Sequence, residues 1–496
     1  MRWHPMIIKW CIYLKSKSST TYDSMRKSGF INLPSERTLY DYSNVLSRGT
    51  GFHEDVLVKL QEEVSGFNEG HEKIVGILQD EVRIRSDLVY DKHTGELIGF
   101  IDLDSAGNDL MNIQEALKDE EKTLARYVLV IMVRGLSTKL KFPIAHFATN
   151  GVVSDQLFSI LWEAVEILEI DIGLSVLFIT SDGASPNRRF IRLHGQGTDS
   201  IVYRAENVFA AEQRYIYFIS DPPHLIKTTR NNFSNSYSHK NTKKLWKNGK
   251  DISWLHIVDL FKDRCNGLYR LCPKLSKNHI DLTAFSYMKV NLAAQVLSSS
   301  VANALELVYG DRTTETVKFI RHMDKFFDIM NTRNFMESNR KRNENLKPFT
   351  DIDDPRLTYL KDEFLSYFEE WQREVNSRNG NFSRSQRNAM VLSYQTIEGL
   401  KITVNSIVDC VKFCLNKGMP FVLTEKFNQD AIEQHFGVHR ASGGSNTNPS
   451  LHEFNSNMQK LRIVGSQALA PLRGNTKRRL DLQVDNTPVA KKPRHQ

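Results

Sequence analysis

The chain has 496 residues, 40% of them apolar and 25% charged, with a formal net charge of +8. That length predicts about two to four domains with substantial cores, and the composition is that of an ordinary soluble protein. The positive balance favours a polyanionic partner, and no stretch reaches the ~18 uninterrupted apolar residues of a membrane span.

The five cysteines, Cys11, Cys265, Cys272, Cys410 and Cys414, are scattered and lack CxxC spacing. They predict reduced thiols of the cytosol or nucleus and argue against a disulfide framework or a zinc site. Cys410 and Cys414 stand i,i+4 in a helical pattern and are expected to be buried thiols. The first twelve residues are apolar and basic like a signal peptide. Lys9 interrupts them and no small-residue cleavage site follows, so they read as an amphipathic helix.

Residues 1–68 read as a small helical domain. Ile7, Ile8, Cys11, Ile12 and Leu14 recur at near-helical spacing. Pro34 and Ser35 can open a helix over 33–42, where Arg37, Tyr40 and Tyr42 offer a basic, aromatic surface like the second helix of a helix-turn-helix. From about residue 72 the texture changes to strands. Runs at 73–85 and 87–90 lead to a turn at 91–95, a return over 96–103, and an apolar run over 127–134. Residues 104–125 are acidic and helical or loose. An amphipathic helix over 153–168 precedes strands ending at Asp182 and at Asp221. This order predicts a mixed α/β, ribonuclease H-like sheet, the first part of which occupies 69–231. Residues 232–420 are mainly helical, with long helices expected over 282–307 and 314–334. They form an insertion, and the last part of the sheet domain returns at 421–473. Residues 441–449 read as a loop and 474–496 as a disordered basic tail.

Three acidic residues stand where a two-metal nuclease wants carboxylates. Asp80 lies in the apolar run 74–80, Asp182 follows the run 176–181, and Glu433 falls in the helical pattern 427–437. Two divalent ions roughly 3.5–4 Å apart need shared carboxylates to activate an attacking oxygen and steady a leaving one. Oxygen ligands suit Mg²⁺ or Mn²⁺. The bland alternatives are a strand-end Asp capping a turn and a surface Glu on a helix. Asp102 is a rival for the first position, and His224 and His435 are further candidates near the site. Lys227, Arg230, Lys240, Lys243, Lys244 and Lys247, interleaved with Tyr237 and Trp246, offer a phosphate-binding surface. Lys477-Arg478-Arg479 and Lys491-Lys492-Pro493-Arg494 resemble a bipartite nuclear import signal.

Several phrases together resemble P-element-type transposases, the family that includes THAP-domain transposase-like proteins. They are Arg2-Trp3-His4-Pro5, the segment 33–42, Gln79-Asp80-Glu81-Val82, Gly99-Phe100-Ile101-Asp102, Thr180-Ser181-Asp182-Gly183-Ala184-Ser185, Asp221-Pro222-Pro223-His224-Leu225-Ile226-Lys227 and Phe327-Asp328-Ile329-Met330-Asn331, completed by Glu433 and Gly443-Gly444. The resemblance implies a ribonuclease H-like catalytic domain interrupted by a GTP-binding insertion, with Asp80, Asp182 and Glu433 as catalytic metal ligands for Mg²⁺ or Mn²⁺. It implies cut-and-paste transposition of DNA in the nucleus by a homo-oligomer, with GTP as a cofactor that is not hydrolysed. For that nucleotide it points to Lys289, Val290, Asp328, Asn331 and Asp430. An Asp accepts both N1–H and N2–H₂ of guanine, Asn331 suits the base or ribose, and Lys289 suits phosphate. The nucleotide site carries no P-loop, and no GxxxxGK[ST] occurs here. Family members usually begin with a Cys-Cys-Cys-His zinc module. Cys11 is the only cysteine before residue 265, so these residues lack it. A domesticated, non-catalytic nuclear DNA-binding protein is the second reading, and a guanine-nucleotide-binding module on a nuclease scaffold is the third.

Overall fold

In a computed structural model the described residues are 3–464, apart from 44, 69, 92–94, 104–107, 109–122, 196–200, 239–241, 266–269 and 443–447. The turn at 91–95, most of the acidic segment 104–125, Lys240, Gly443-Gly444 and the basic tail 474–496 therefore fall wholly or partly outside them. The chain divides into two compact units, residues 1–176, 208–213 and 429–496 in one and residues 177–207 and 214–428 in the other.

The first unit is built on an antiparallel ladder. Strand β1 (Gly51–Phe52), β2 (Ile74–Arg83), a hairpin of β3 (Val89–Asp91) and β4 (Glu96–Ile98), β5 (Tyr127–Gly135) and β6 (Lys141–Thr149) follow in sequence. In space β1 pairs β6, β6 pairs β5 and β5 pairs β2, while among the described residues β3 and β4 pair with each other. Ile74 to Gln79 and Val128 to Gly135 are buried without alternation, as in strands covered on both faces. That run of Ile, Val, Leu and Met is what makes β2 and β5 legible. β6 is absent from the sequence reading. Pro143 sits inside it at the β-bulge, where the Met132 register shifts and the missing N–H costs nothing to the ladder.

Helices Pro5–Lys17, Ser19–Lys27 and Glu36–Ser43 make a small layer with its own core. Ile8, Cys11, Ile12, Tyr22, Leu33 and Leu39 pack with Val438, Ile463 and Val464 from the two C-terminal helices of the same unit, Asp430–Ser442 and Leu451–Val464. Ser35 caps the third helix by accepting from Thr38 N at 3.1 Å, and the Tyr22 hydroxyl donates to Pro34 O at 2.7 Å. Arg37 and Tyr40 face outward from it, as the sequence led one to expect, while Tyr42 packs against the core. Helix Ser154–Glu166 ends in a single π turn, Ile167–Asp171.

In the second unit β7 (Ser175–Ser181, whose first two residues belong to the first unit) and β9 (Tyr215–Ser220) run parallel, with Ser181 level with Ser220. β8 (Arg204–Glu206) lies antiparallel on the far edge of β9. Helices Ser185–Leu193 and Pro222–Ser234 follow β7 and β9. The long helix Tyr394–Asn416 packs on β9 and on helix Pro222–Ser234, and a Cβ at Gly399 would stand 2.7 Å from Leu225 Cδ2 of the latter. Thr403 and Ser406 then donate their hydroxyls to the Ser220 and Phe218 carbonyls at 2.6 and 2.5 Å. Cys410 and Cys414 are buried on this helix, and burial pushes both thiols up, Cys414 to about 12.

The helical insertion packs around aromatic edges, Phe233 on Trp254 at 5.2 Å, Phe233 on Phe319 at 5.4 Å and Phe319 on Trp371 at 5.9 Å. The helix expected over 282–307 is three, Ala284–Met288, Val290–Val296 and Ser299–Tyr309, broken at Lys289 and at Leu297–Ser298. The next is Thr314–Ile329, ending before Asn331. All five cysteines are buried and free. Among the described residues no helix is long and apolar enough to cross a membrane.

Candidate nuclease and nucleotide sites

Asp80 is the first half-buried position of β2 after six buried ones, opposite Val130 on β5. Its Oδ1 accepts from Glu81 N at 2.8 Å. Strand alternation sends Glu81 to the other face, where its carboxylate accepts from Val152 N at 3.1 Å and from the Thr149 hydroxyl. Glu433 lies in the first turn of helix Asp430–Ser442, and Glu433 N donates to Gln429 O at 3.0 Å. Just before that helix the Gln429 side chain donates to Gln79 O at 2.7 Å. One buried amide thus ties the base of the Glu433 helix to the strand residue preceding Asp80. This is the link by which the structure brings two of the three expected carboxylates onto neighbouring elements.

Asp102 stands elsewhere in the same unit. It bridges Ala148 on β6, with its carboxylate accepting from Asn108 Nδ2 at 2.8 Å and from the Thr50 hydroxyl. Two ladders, β6–β5 and β5–β2, separate it from Asp80, because the 96–103 return forms the detached β3–β4 hairpin and not the neighbouring strand. His435 belongs to a buried group behind the helix. Its Nε2 is 3.1 Å from His439 Nε2, His439 stacks on Phe454 at 4.0 Å, and His146 Nε2 is 2.9 Å from Asn455 Oδ1. Burial holds His146 and His435 down to about 3, and His439 well below its usual range.

In the second unit Asp182 follows β7. Its Oδ1 accepts from Ala184 N at 2.8 Å and from Asn187 Nδ2 at 2.6 Å, which orients the carboxylate at the start of helix Ser185–Leu193. Those donors meet one oxygen only, so the turn-capping bonds leave the other oxygen clear of them. Beside it, at the end of the adjacent parallel strand, Asp221 N donates to Ser181 O at 3.0 Å. The Asp221 carboxylate is buried and accepts from His224 Nδ1 at 2.6 Å and His224 N at 3.0 Å. The Asp221–His224 pair is a site element the sequence reading did not assemble. Its signal was a second strand ending in Asp at the level of Asp182. Among the described residues no three His, Cys, Asp or Glu side chains are gathered in a ready metal cage.

Among the nucleotide residues, Asp328 and Asn331 lie at the end of one helix, with Asn331 N donating to Asp328 O at 3.2 Å. The Asp328 carboxylate accepts from Asn343 Nδ2 at 2.6 Å, and burial, then the neighbouring Asp324, pushes it up to about 6. Asn331 Oδ1 accepts from Arg333 Nη2 at 2.9 Å. Lys289 joins two short helices and Val290 starts the second, with the Lys289 ammonium 4.1 Å over the Phe285 ring. Asp430 is the first residue of the Glu433 helix and belongs to the first unit.

The expected basic surface after β9 is mostly interior. Lys227, Arg230 and Lys247 are buried. Lys247 Nζ pairs with Glu374 at 2.8 Å. Lys243 Nζ donates to the Val391 and Asn388 carbonyls at 2.7 and 2.9 Å, and burial pushes it down to about 8. Arg378 stacks on Trp246 at 4.0 Å. These cations lace the insertion together and are not a nucleic-acid face; Lys244 alone among the described ones is exposed.

Family models match in the same order as these elements. The TNP-like RNase H N-terminal domain matches residues 49–195, the TNP-like GTP-binding insertion domain 223–343, and the TNP-like RNase H C-terminal domain 425–458. The chain belongs to the P-element-type transposase family. It is 25% identical over 471 residues to the transposable element P transposase of Drosophila melanogaster, covering 92% of this chain and 53% of that protein. It is 26% identical over 334 residues to the DNA transposase THAP9 of Homo sapiens, covering 64% of this chain and 34% of that protein. The chain thus spans about half, or less, of the length of the curated relatives it matches. Its fold resembles that of the Drosophila P element transposase strand transfer complex, with a TM-score of 0.72 and 22% identity over 94% of this chain and 92% of that one. P-element-type chains thus share a ribonuclease H-like fold interrupted by an insertion of the GTP-binding type, as this one does.

Proposed function

We propose that this chain is a DNA transposase core. It cleaves DNA strands and joins them by metal-dependent polynucleotidyl transfer, with GTP as a cofactor that is not hydrolysed. The observation that carries this reading is the pair of RNase H half-matches flanking a GTP-binding insertion, with the Gln429–Gln79 bond tying the Glu433 helix to the Asp80 strand. The proposed domains are the helical region 1–68, the nuclease parts 69–231 and 421–473, the insertion 232–420 and the tail 474–496. Nuclear work on DNA by a homo-oligomer belongs to the same reading.

Asp80, Asp182 and Glu433 are the proposed ligands of Mg²⁺ or Mn²⁺, and their chemistry fits such an ion. All three offer carboxylate oxygens, and Asp182 keeps one oxygen clear of its capping donors. A bound divalent ion supplies Lewis acidity at the phosphate and lowers the cost of generating an attacking oxygen. The chain's own part is positioning. Ala184 N and Asn187 fix the Asp182 carboxylate, Gln429 fixes the Glu433 helix, and Thr149 with Val152 N holds Glu81 to the opposite face. In the insertion Asp328 accepts the two guanine N–H groups, Asn331 meets base or ribose, and Lys289 and Val290 lie along the phosphates; Asp430 is the further nucleotide residue proposed.

The test is cleavage of labelled linear DNA by the purified chain with Mg²⁺ or Mn²⁺, with and without GTP, beside Asp182→Asn. Nicking that GTP stimulates and that falls about a thousandfold in the variant, some 4 kcal/mol, supports the reading. Cleavage surviving alike in Asp80→Asn, Asp182→Asn and Glu433→Gln sinks the metal assignment. GTP and DNA bound without nicking moves the weight to a domesticated binding protein.

A further inference from the structure

Arg230, on helix Pro222–Ser234, is fully buried. Its Nη2 donates to Ser286 O at 3.0 Å and to Tyr287 O at 3.3 Å, and its Nε donates to Asn231 Oδ1 at 2.8 Å. Asn231 Nδ2 reaches the same Tyr287 carbonyl at 3.4 Å. One edge of the guanidinium therefore fixes the last turn of helix Ala284–Met288, immediately before Lys289 turns the chain into the next helix. The Nη1 corner is buried and has no hydrogen-bond partner, and no carboxylate among the described residues pairs with this cation. A buried charge without a counter-ion is strongly unfavourable, far more so than a paired one.

The segment that Arg230 holds carries a second cation, the half-buried Lys289. The contact of the Lys289 ammonium is the face of Phe285, a ring that is itself 70% exposed. Two cations thus serve one short stretch of backbone, one inside and one at the surface, and neither meets a carboxylate. An anion with several oxygens satisfies both, and the guanidinium fork is matched to phosphate.

We propose that Arg230 is the buried half of a phosphate subsite whose outer, half-buried member is Lys289, so that the polyphosphate of the nucleotide is read at this helix junction while its base is read elsewhere. The proposal rests on the nucleotide-binding reading above and adds Arg230 to it. Arg230 acts partly through Lys289, as a positioning residue, and partly through its own unfilled Nη1.

The experiment measures the affinity of the full chain for GTP, GDP and guanosine in the wild type, Arg230→Gln and Arg230→Lys. Arg230→Gln is expected to weaken GTP by about tenfold or more and guanosine by less than about twofold, with Arg230→Lys between. Equal losses for GTP and guanosine mean that Arg230 only supports the fold, and no loss means that it does not meet phosphate; either overturns the proposal. Inorganic tripolyphosphate competing with GTP on the wild type is the measurement that needs no variant, and absence of competition also overturns it. Wild type that binds neither GTP nor guanosine fails the nucleotide reading itself. Wild type that binds both equally fails this inference alone.

Discussion

Asp80 and Asp328 are both half-buried carboxylates set in apolar surroundings, yet their settings differ. Asp80 lies on a strand whose preceding six residues are buried, and a neighbouring backbone N–H meets one oxygen. Asp328 lies at a helix end beside Asp324, where burial and a like charge push it up to about 6. A carboxylate in the second setting keeps its charge at a cost and gains most from a ligand that brings two N–H donors. The first setting is rigid and offers oxygens to a cation; the second is selective for a donor-rich base. The two halves of the proposed activity are separated in just this way along the chain.

The largest expected effect sharpens the rigid side. His146 and His439 are fully buried beside His435, Arg462, Arg440 and His53, and burial holds both imidazoles neutral. Each has a folded pKa below its unfolded value, so the unfolded chain binds protons first as pH falls. The stability contributed is present above the unfolded pKa near 6.5 and drains away below it, by up to about 3 kcal/mol per pH unit for the two groups. Urea unfolding at pH 7.5 and 5.5 reads this directly. His146→Gln with His439→Phe is expected to reduce the dependence, the rest staying with His435, and an unchanged slope breaks the account.

Much of the rigid side was legible in sequence. Continuous apolar runs gave β2, β5, β7 and β9, and Asp80 and Asp182 were visible where such runs end. β6 was not, because Pro143 and His146 interrupt its apolar residues and the bulge that excuses the proline shows only in the pairing. The insertion resisted reading for another reason. Its charges read as a surface, but Lys227, Arg230 and Lys247 are interior, and the Lys247 partner Glu374 lies 127 residues on. Spacing cannot show a counter-ion more than a hundred residues away. The break at Lys289 was hidden too, since residues 284–296 keep a helical pattern across it.

On the selective side, Asp328→Asn replaces one acceptor oxygen by a donor. It is expected to cost GTP about 2 kcal/mol, roughly thirtyfold, and to erase the preference for GTP over ATP. Wild-type GTP affinity should hold above pH 6 and fall about tenfold per unit below it, because the protonated carboxyl no longer accepts both N–H groups. Titration calorimetry across pH 5 to 8 checks both. A flat profile, with GTP and ATP equally affected by the substitution, places the base elsewhere.

The smallest effect tests whether the two Asp80-side carboxylates act as a set. Gln429 is fully buried, and its amide reaches Gln79 O from the residue preceding the Glu433 helix. Gln429→Leu keeps nearly the same volume and removes the donor, so the expected loss of stability is about 1–2 kcal/mol. If the bond serves only the fold, DNA cleavage by the folded variant matches the wild type once the folded fraction is counted. If it sets Glu433 against Asp80, cleavage falls further, by about fivefold to tenfold, since small misplacements of a positioned group cost rate steeply. Rescue by Gln429→Glu is not expected, because its carboxylate would face the Gln79 carbonyl. Gln429→Asn, with a shorter reach, should lie between leucine and the wild type, and that ordering is what a simple loss of stability does not produce.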